Sequence, residues 1–149
     1  MAGNVAEHMG TLHPNIAPYG DIFECSDNKS IVLAVGSDKQ FSKLVHLLGN
    51  ETISKDTNFS HNPARVKNRP QMQKSLEPLF KKRTRNEWME MFNNAKVPAG
   101  AIQSMDEVLS GATATAMILE EVIDGVATKK AAISSLQYSR LMIFIQLEF

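Results

Sequence analysis

Apolar positions along this chain change period several times, and each change marks an element. Ile22 and Phe23, then Ile31, Val32, Leu33 and Val35, form two short apolar runs around the polar tetrad Ser26-Asp27-Asn28-Lys29. Runs rich in branched and aromatic residues on either side of turn chemistry predict two strands, most simply joined as an antiparallel hairpin. From Ser37 the spacing lengthens. Phe41, Leu44, Val45 and Leu48 recur at helical intervals and define one apolar face. Ser37 and Gln40 have the spacing of a capping box, and Gly49 sits where a helix commonly ends.

Residues 50–62 are polar and are expected to be mostly irregular. Asn62-Pro63 predicts a helix start, with Asn as cap and Pro in the first position. The helix is expected over roughly 63–82, broken or kinked near Pro70 and Pro78 because each removes a backbone donor. Thr84-Arg85-Asn86-Glu87 is a second capping box, leading Trp88, Met91, Phe92 and Ala95 along one face. Val97-Pro98-Ala99-Gly100 predicts a turn. Ser104 and Glu107 form a third capping box for a short helix stopped by Gly111. Beyond it, 117–123 and 130–136 flank Asp124-Gly125. The pattern there fits either a helix broken at Gly125 or two strands. Gly3, Gly10, Pro14, Pro18 and Gly20 make the first twenty residues a loop that arrives from elsewhere. The expected organisation is an opening segment 1–20, an α+β domain 21–136 with a small antiparallel sheet and several helices, and an atypical apolar tail 137–149.

Composition narrows the classes. The chain has 149 residues, close to one domain by length, and 43% hydrophobic content suffices for a core. With 16 basic and 16 acidic residues the net charge is zero, which disfavours a general polyanion binder, so no nucleic-acid partner is expected. Charge is nonetheless uneven: residues 61–96 hold 9 basic and 3 acidic residues, the one segment with a basic excess. The single Cys25 allows no internal disulfide and fits a reducing compartment. No apolar run approaches the ~18 residues of a membrane helix, and no signal-peptide core follows the start. A cytoplasmic protein with no membrane partner is the expectation.

Few residues suggest chemistry of their own. His8 and His13 lie near Glu7 and Asp21, but no Cys/His pair has the spacing of a structural zinc site, so no metal is expected. Cys25 fits a buried strand thiol better than a nucleophile served by His46 or His61. Lys81-Lys82-Arg83-Thr84-Arg85 could meet a phosphate, including one on coenzyme A. A solvated helix end is its commoner role, and no aromatic residues interleave with it. Trp88, Met91 and Phe92 are core by spacing. The chain has no GxGxxG, no P-loop and no Ser-centred nucleophile elbow.

Five pieces in order, HPNIAPYG, IVLAVGSDKQF, LVHLLG, ARVKNR and VPAGAIQSMDEVL, carry a resemblance. Over about residues 4–139 the chain resembles the small domain of class III CoA-transferases, the family of formyl-CoA and L-carnitine CoA-transferases. The resemblance implies a small α+β domain joined by two linkers to a large Rossmann-like domain, in dimers whose subunits thread through each other. It favours the hairpin for 117–136. It also implies transfer of CoA between carboxylic acids through an aspartyl-CoA thioester, with acyl-CoA and a carboxylic acid as substrates and no tightly bound cofactor.

In that family the aspartate belongs to the large domain, upstream of everything present here. No catalytic residue is therefore carried over, and the chain is expected to be a fragment that is inert alone. What carries over is a loop near the substrate: Gly10, His13, Pro14, Asn15 and Tyr19 within GTLHPNIAPY. It lacks the glycine run of formyl-CoA transferases, and Pro14 and Pro18 stiffen it. Arg65, Asn68 and Arg69 match the family's RVxNR segment and are expected to be structural or to face an anion. The competing expectation is a non-catalytic binding or assembly module that uses the basic 61–96 surface. Either way, faces that would meet a large domain are expected to drive docking with it or self-association.

Overall fold

The computed structural model describes residues 10–111 and 118–131. They fall into two compact units, one running to Gln103 and one starting at Ser104. The first contains β1 (Tyr19–Glu24), β2 (Ser30–Ala34), α1 (Asp38–Leu47), α2 (Thr52–Lys55), α3 (Asn62–Lys67), α4 (Arg69–Phe80), α5 (Arg85–Ala95) and β3 (Ala99–Ala101). The second contains α6 (Met105–Ser110), β4 (Ile118–Ile123) and β5 (Val126–Ala131). The architecture is α+β, as the alternation of strand and helix periods predicts.

In the first unit β2 is central in a sheet of order β1-β2-β3, antiparallel throughout. Ile31 and Leu33 point into the core while the residues between them are only half-buried, the period-2 signature of a sheet packed on one face. Asn28 takes a left-handed conformation in the β1–β2 turn, which closes through a bond from the Cys25 amide to the Lys29 carbonyl at 2.8 Å. Helices α1, α4 and α5 supply much of the remaining core: Phe41, Leu44 and Val45, then Met72, Leu76 and Phe80, then Trp88 and Phe92. Phe23 stacks on Phe80 with ring centroids 4.4 Å apart, and Trp88 stacks on Phe92 at 5.6 Å. The Trp88 indole donates to the Phe80 carbonyl at 2.8 Å, so its one polar atom is satisfied inside the core.

All three sequence-read capping boxes form, at Ser37/Gln40, Thr84/Glu87 and Ser104/Glu107. Two local expectations need correction. Asn62 does not cap α3: His61 holds the cap position, Asn62 is the first helical residue, and its side chain is used elsewhere. The helical stretch does part beside Pro70, between α3 and α4, and Pro78 lies in the last turn of α4, which ends two residues later at Phe80. Ala99–Ala101 is a strand, not part of a turn. It has little strand propensity of its own and is made by pairing with β2, where the Ile102 amide donates to the Ser30 carbonyl at 2.9 Å.

In the second unit β4 and β5 pair in continuous antiparallel register from Ile118↔Ala131 to Ile123↔Val126. Asp124 and Gly125 both have positive φ, 51° and 80°. Two successive left-handed residues make the tight turn that matches strand twist, and that turn resolves the sequence ambiguity in favour of a hairpin. The opening residues with His8, the segment 132–136 and the apolar tail lie outside the described residues.

Candidate functional site

The site is built around the loop that precedes β1. Its inner wall is one face of α3 and α4. Asn62, Arg65, Arg69 and Gln73 recur every three or four residues, so a nearly continuous polar stripe faces the loop. The Asn62 amide donates to the Asn15 carbonyl at 2.8 Å and accepts from the Ala17 amide at 3.0 Å. The Arg65 Nε donates to the Ala17 carbonyl at 2.7 Å. Arg69 Nη2 donates to the carbonyls of His13, at 2.7 Å, and of Ile16. Five side-chain bonds therefore hold four consecutive-to-neighbouring loop residues by their backbone alone.

Arg65 is wholly buried, yet fully used. Besides Ala17, it donates to the Phe59 carbonyl at 3.0 Å and to the carboxylate of Asp38 at 2.6 Å, and its guanidinium lies 4.5 Å from the Phe41 ring centroid. Asp38 is the first residue of α1, so one buried cation ties that helix, the 56–61 turn and the loop together. Asn68 supports the same turn by donating to the carbonyls of Asn58 at 3.3 Å and Ala64 at 3.0 Å.

The loop presents its tip outward. Pro14 and Asn15 are exposed, His13 is half-buried, and Tyr19 is exposed at the start of β1. The His13 amide donates to the Tyr19 carbonyl at 2.9 Å, and the two rings meet edge-on at 5.6 Å. The Asn15 amide donates to His13 Nδ1 at 3.2 Å. Gly10 opens the described loop at φ +65° with open space around it. Of the sequence-read site residues, His13, Pro14, Asn15 and Tyr19 are thus brought together, and Arg65 and Arg69 lie behind them as braces. Asn62 and Gln73 were missed. The signal lies in their spacing from Arg65 and Arg69, but Asn62 beside Pro63 also carries the local signature of a cap.

Asp21 lies below the loop, buried beside Arg69. Its Oδ1 accepts from Gln73 at 2.6 Å, and its Oδ2 is 3.8 Å from Arg69 Nη1. Burial pushes its pKa above the ordinary 3.8, while Arg69, Gln73 and the Tyr19 amide oppose the rise. A carboxyl that holds its proton more tightly when folded contributes stability that is complete below 3.8 and is lost as pH rises through the raised value. Relative to the parent chain, Asp21→Asn should therefore gain stability as pH rises from 3.8 toward neutral. Urea melts across that range check it, and a difference that does not change with pH would contradict it.

Cys25 is wholly buried, and burial with Asp27 nearby pushes its thiol up to about 11. Set against an ordinary 9.0, this lowers the thiolate fraction at mildly alkaline pH by about a hundredfold. Dithionitrobenzoate should accordingly label it at least that much more slowly in the folded chain than in urea. Equal rates would reveal an accessible thiol.

The basic run is largely occupied. Lys81 pairs with Glu24, Arg83 lies 5.6 Å from the Trp88 ring centroid, and the buried Arg85 donates to the Ile102 carbonyl. Among the described residues no helix is long and apolar enough to cross a membrane, and no group of three or more potential metal ligands is found.

A sheet-and-helix unit that grips a loop by its backbone and exposes the loop's tip defines a loop-presenting α+β domain. Comparison with known proteins places it further. The family described as CoA-transferase family III matches residues 1–140. An acyl-CoA transferase of Fusarium pseudograminearum is 38% identical over 104 residues, covering 70% of this chain and 22% of that protein. A succinate–glutarate CoA-transferase of Agrobacterium fabrum is 30% identical over 110 residues, covering 74% and 27%. The crystal structure of a CAIB/BAIF family protein from Brucella suis superposes with a TM-score of 0.79 at 32% identity, covering 93% of this chain and 35% of that one. The chain belongs to CoA-transferase family III. It spans about a quarter of the length of the curated relatives it matches.

Proposed function

We propose that this chain is the small domain of an enzyme that moves CoA between carboxylic acids, and that it contributes the braced loop His13–Tyr19 to the substrate site. The observation that carries the reading is the backbone grip of Asn62, Arg65 and Arg69 on that loop. A loop held this way keeps His13, Asn15 and Tyr19 in place while a thioester or anhydride forms beside them. Such fixed positioning is a large part of what a covalent acyl-transfer site supplies. The aspartate nucleophile and the groove for CoA belong, on this reading, to the large domain, so the chain alone is inert.

The relatives' names narrow the acids. Succinate and glutarate appear in them, so we propose short carboxylates as donor and acceptor. Within the family, the loop GTLHPNIAPY lacks the glycine run of formyl-CoA transferases and is closer to the carnitine-type pattern. Reaction of a soluble acyl-CoA with a soluble acid fits a cytoplasmic enzyme. The second unit exposes Met105, Val108 and Leu109 on α6 and Val122, Ile123 and Val126 on the hairpin. These apolar side chains are where we place docking with a large domain, or self-association in its absence.

The test is CoA transfer from succinyl-CoA to glutarate. It is run with the purified chain and with the Agrobacterium relative in which this chain replaces the matching segment. Turnover by the chimera and none by the chain alone is the expected result. A folded but inactive chimera, or turnover by the isolated chain, would overturn the assignment.

A further inference from the structure

A recess lies apart from the loop, in the first unit, between α1, α2 and the end of α5. It has a volume of about 730 Å³, within the usual range for a small-molecule site. Lys39 and Lys43, one helical turn apart on α1, line it together with Lys96. Lys96 takes a left-handed conformation (φ 56°) as the C-cap of α5. Leu47 and Ala95 supply an apolar wall, and Ser42, Ser54 and Asn94 supply hydrogen-bonding groups. The one carboxylate in the lining, Glu51, is already engaged by His46 Nδ1 at 2.5 Å. None of the three lysines forms an ion pair with a carboxylate among the described residues.

We infer that this recess binds a small organic phosphate: an anion of two or more phosphate charges attached to an apolar, nucleoside-sized body. Three ammonium groups against the single Glu51 carboxylate leave a net positive charge on one hollow that an anion would neutralise. Their number and placement favour a multiply charged anion. Lysines bind phosphate oxygens as point charges, and three of them around one hollow can share the charge of a multiply charged anion without a fixed fork geometry. Volume and the Leu47–Ala95 wall select the body, because pyrophosphate alone would leave most of the recess unfilled. This site shares no residue with the loop and stands whether or not the CoA-transfer reading holds.

Calorimetry on the full chain tests it with three probes: ADP, inorganic pyrophosphate and adenosine. ADP should bind saturably at one site, pyrophosphate at least fivefold more weakly, and adenosine weakest. Raising salt should weaken ADP binding by screening the lysines. The double substitution Lys43→Gln/Lys96→Gln should weaken ADP at least tenfold. Lys74→Gln, an exposed lysine on α4, should leave it unchanged. All three positions are exposed, so thermal melts are expected to coincide with the parent chain. The proposal fails if ADP binding is not saturable, if pyrophosphate matches ADP, or if the lysine pair can be neutralised without loss.

Discussion

Replacing Arg65 with methionine is expected to destabilise the first unit by about 2–6 kcal/mol, the combined cost of leaving two buried carbonyls without their donors. Methionine keeps much of the side-chain volume but removes every donor. The carbonyls of Ala17 and Phe59 would be left in the interior without partners, and each orphaned polar group costs about 1–3 kcal/mol. The Asp38 carboxylate is different. More than half of its side-chain surface is accessible, so water replaces the guanidinium and its loss adds little. Most of the effect should therefore come from the two carbonyls. Arg65→Lys should also be poorly tolerated, because one ammonium cannot span the three directions that the fork occupies. Urea denaturation gives the magnitude. A loss below about 1 kcal/mol for methionine would mean that water or a rearranged loop satisfies the carbonyls.

The second large effect is expected at Gly20. Its φ is +80°, and a Cβ placed there would lie 1.7 Å from the Thr11 carbonyl oxygen and 2.6 Å from the carbonyl carbon. Two costs add. A non-glycine residue in the left-handed region loses about 1–2 kcal/mol. The clash is with backbone rather than with a side chain that could swing aside, so the loop itself must move. Gly20→Ala should therefore lose about 2–4 kcal/mol and displace residues 11–12. Gly10→Ala is the natural control. Gly10 has a similar φ of +65° but open space around it, so only the conformational cost applies. Comparable melts for the two variants would refute the steric argument. In the chimeric enzyme, Gly20→Ala should lower turnover more than Gly10→Ala, provided that both are assayed below their melting temperatures.

Much of this fold was legible in sequence because local and tertiary preferences agree. The capping boxes at Ser37, Thr84 and Ser104 and the apolar face of α1 are local signals that tertiary packing reinforces. Disagreement was confined to places where a partner far along the chain decides. Ala99–Ala101 is a strand only because β2 offers it hydrogen bonds. Asn62 beside Pro63 carries the local signature of a cap, but the Asn15 carbonyl and Ala17 amide offer its side chain better partners. The candidate site divides in the same way. HPNIAPYG identified the loop, and the RVxNR match singled out Arg65 and Arg69. That the two meet was not legible, because no local rule links residues some fifty positions apart.

The manner of that meeting has a consequence for how such a domain can diversify. Asn62, Arg65 and Arg69 engage only peptide groups of the loop and none of its side chains. The path of the loop is thus specified by the mount rather than by the residues it displays. Side chains at 14 and 15 are free to change with little effect on where the tip is carried. A saturation library at those two positions would sample new preferences on an unaltered scaffold. A library at 62, 65 and 69 would mostly sample broken scaffolds. Selectivity and architecture are encoded in separate stretches of the chain, and the one can drift while the other is held.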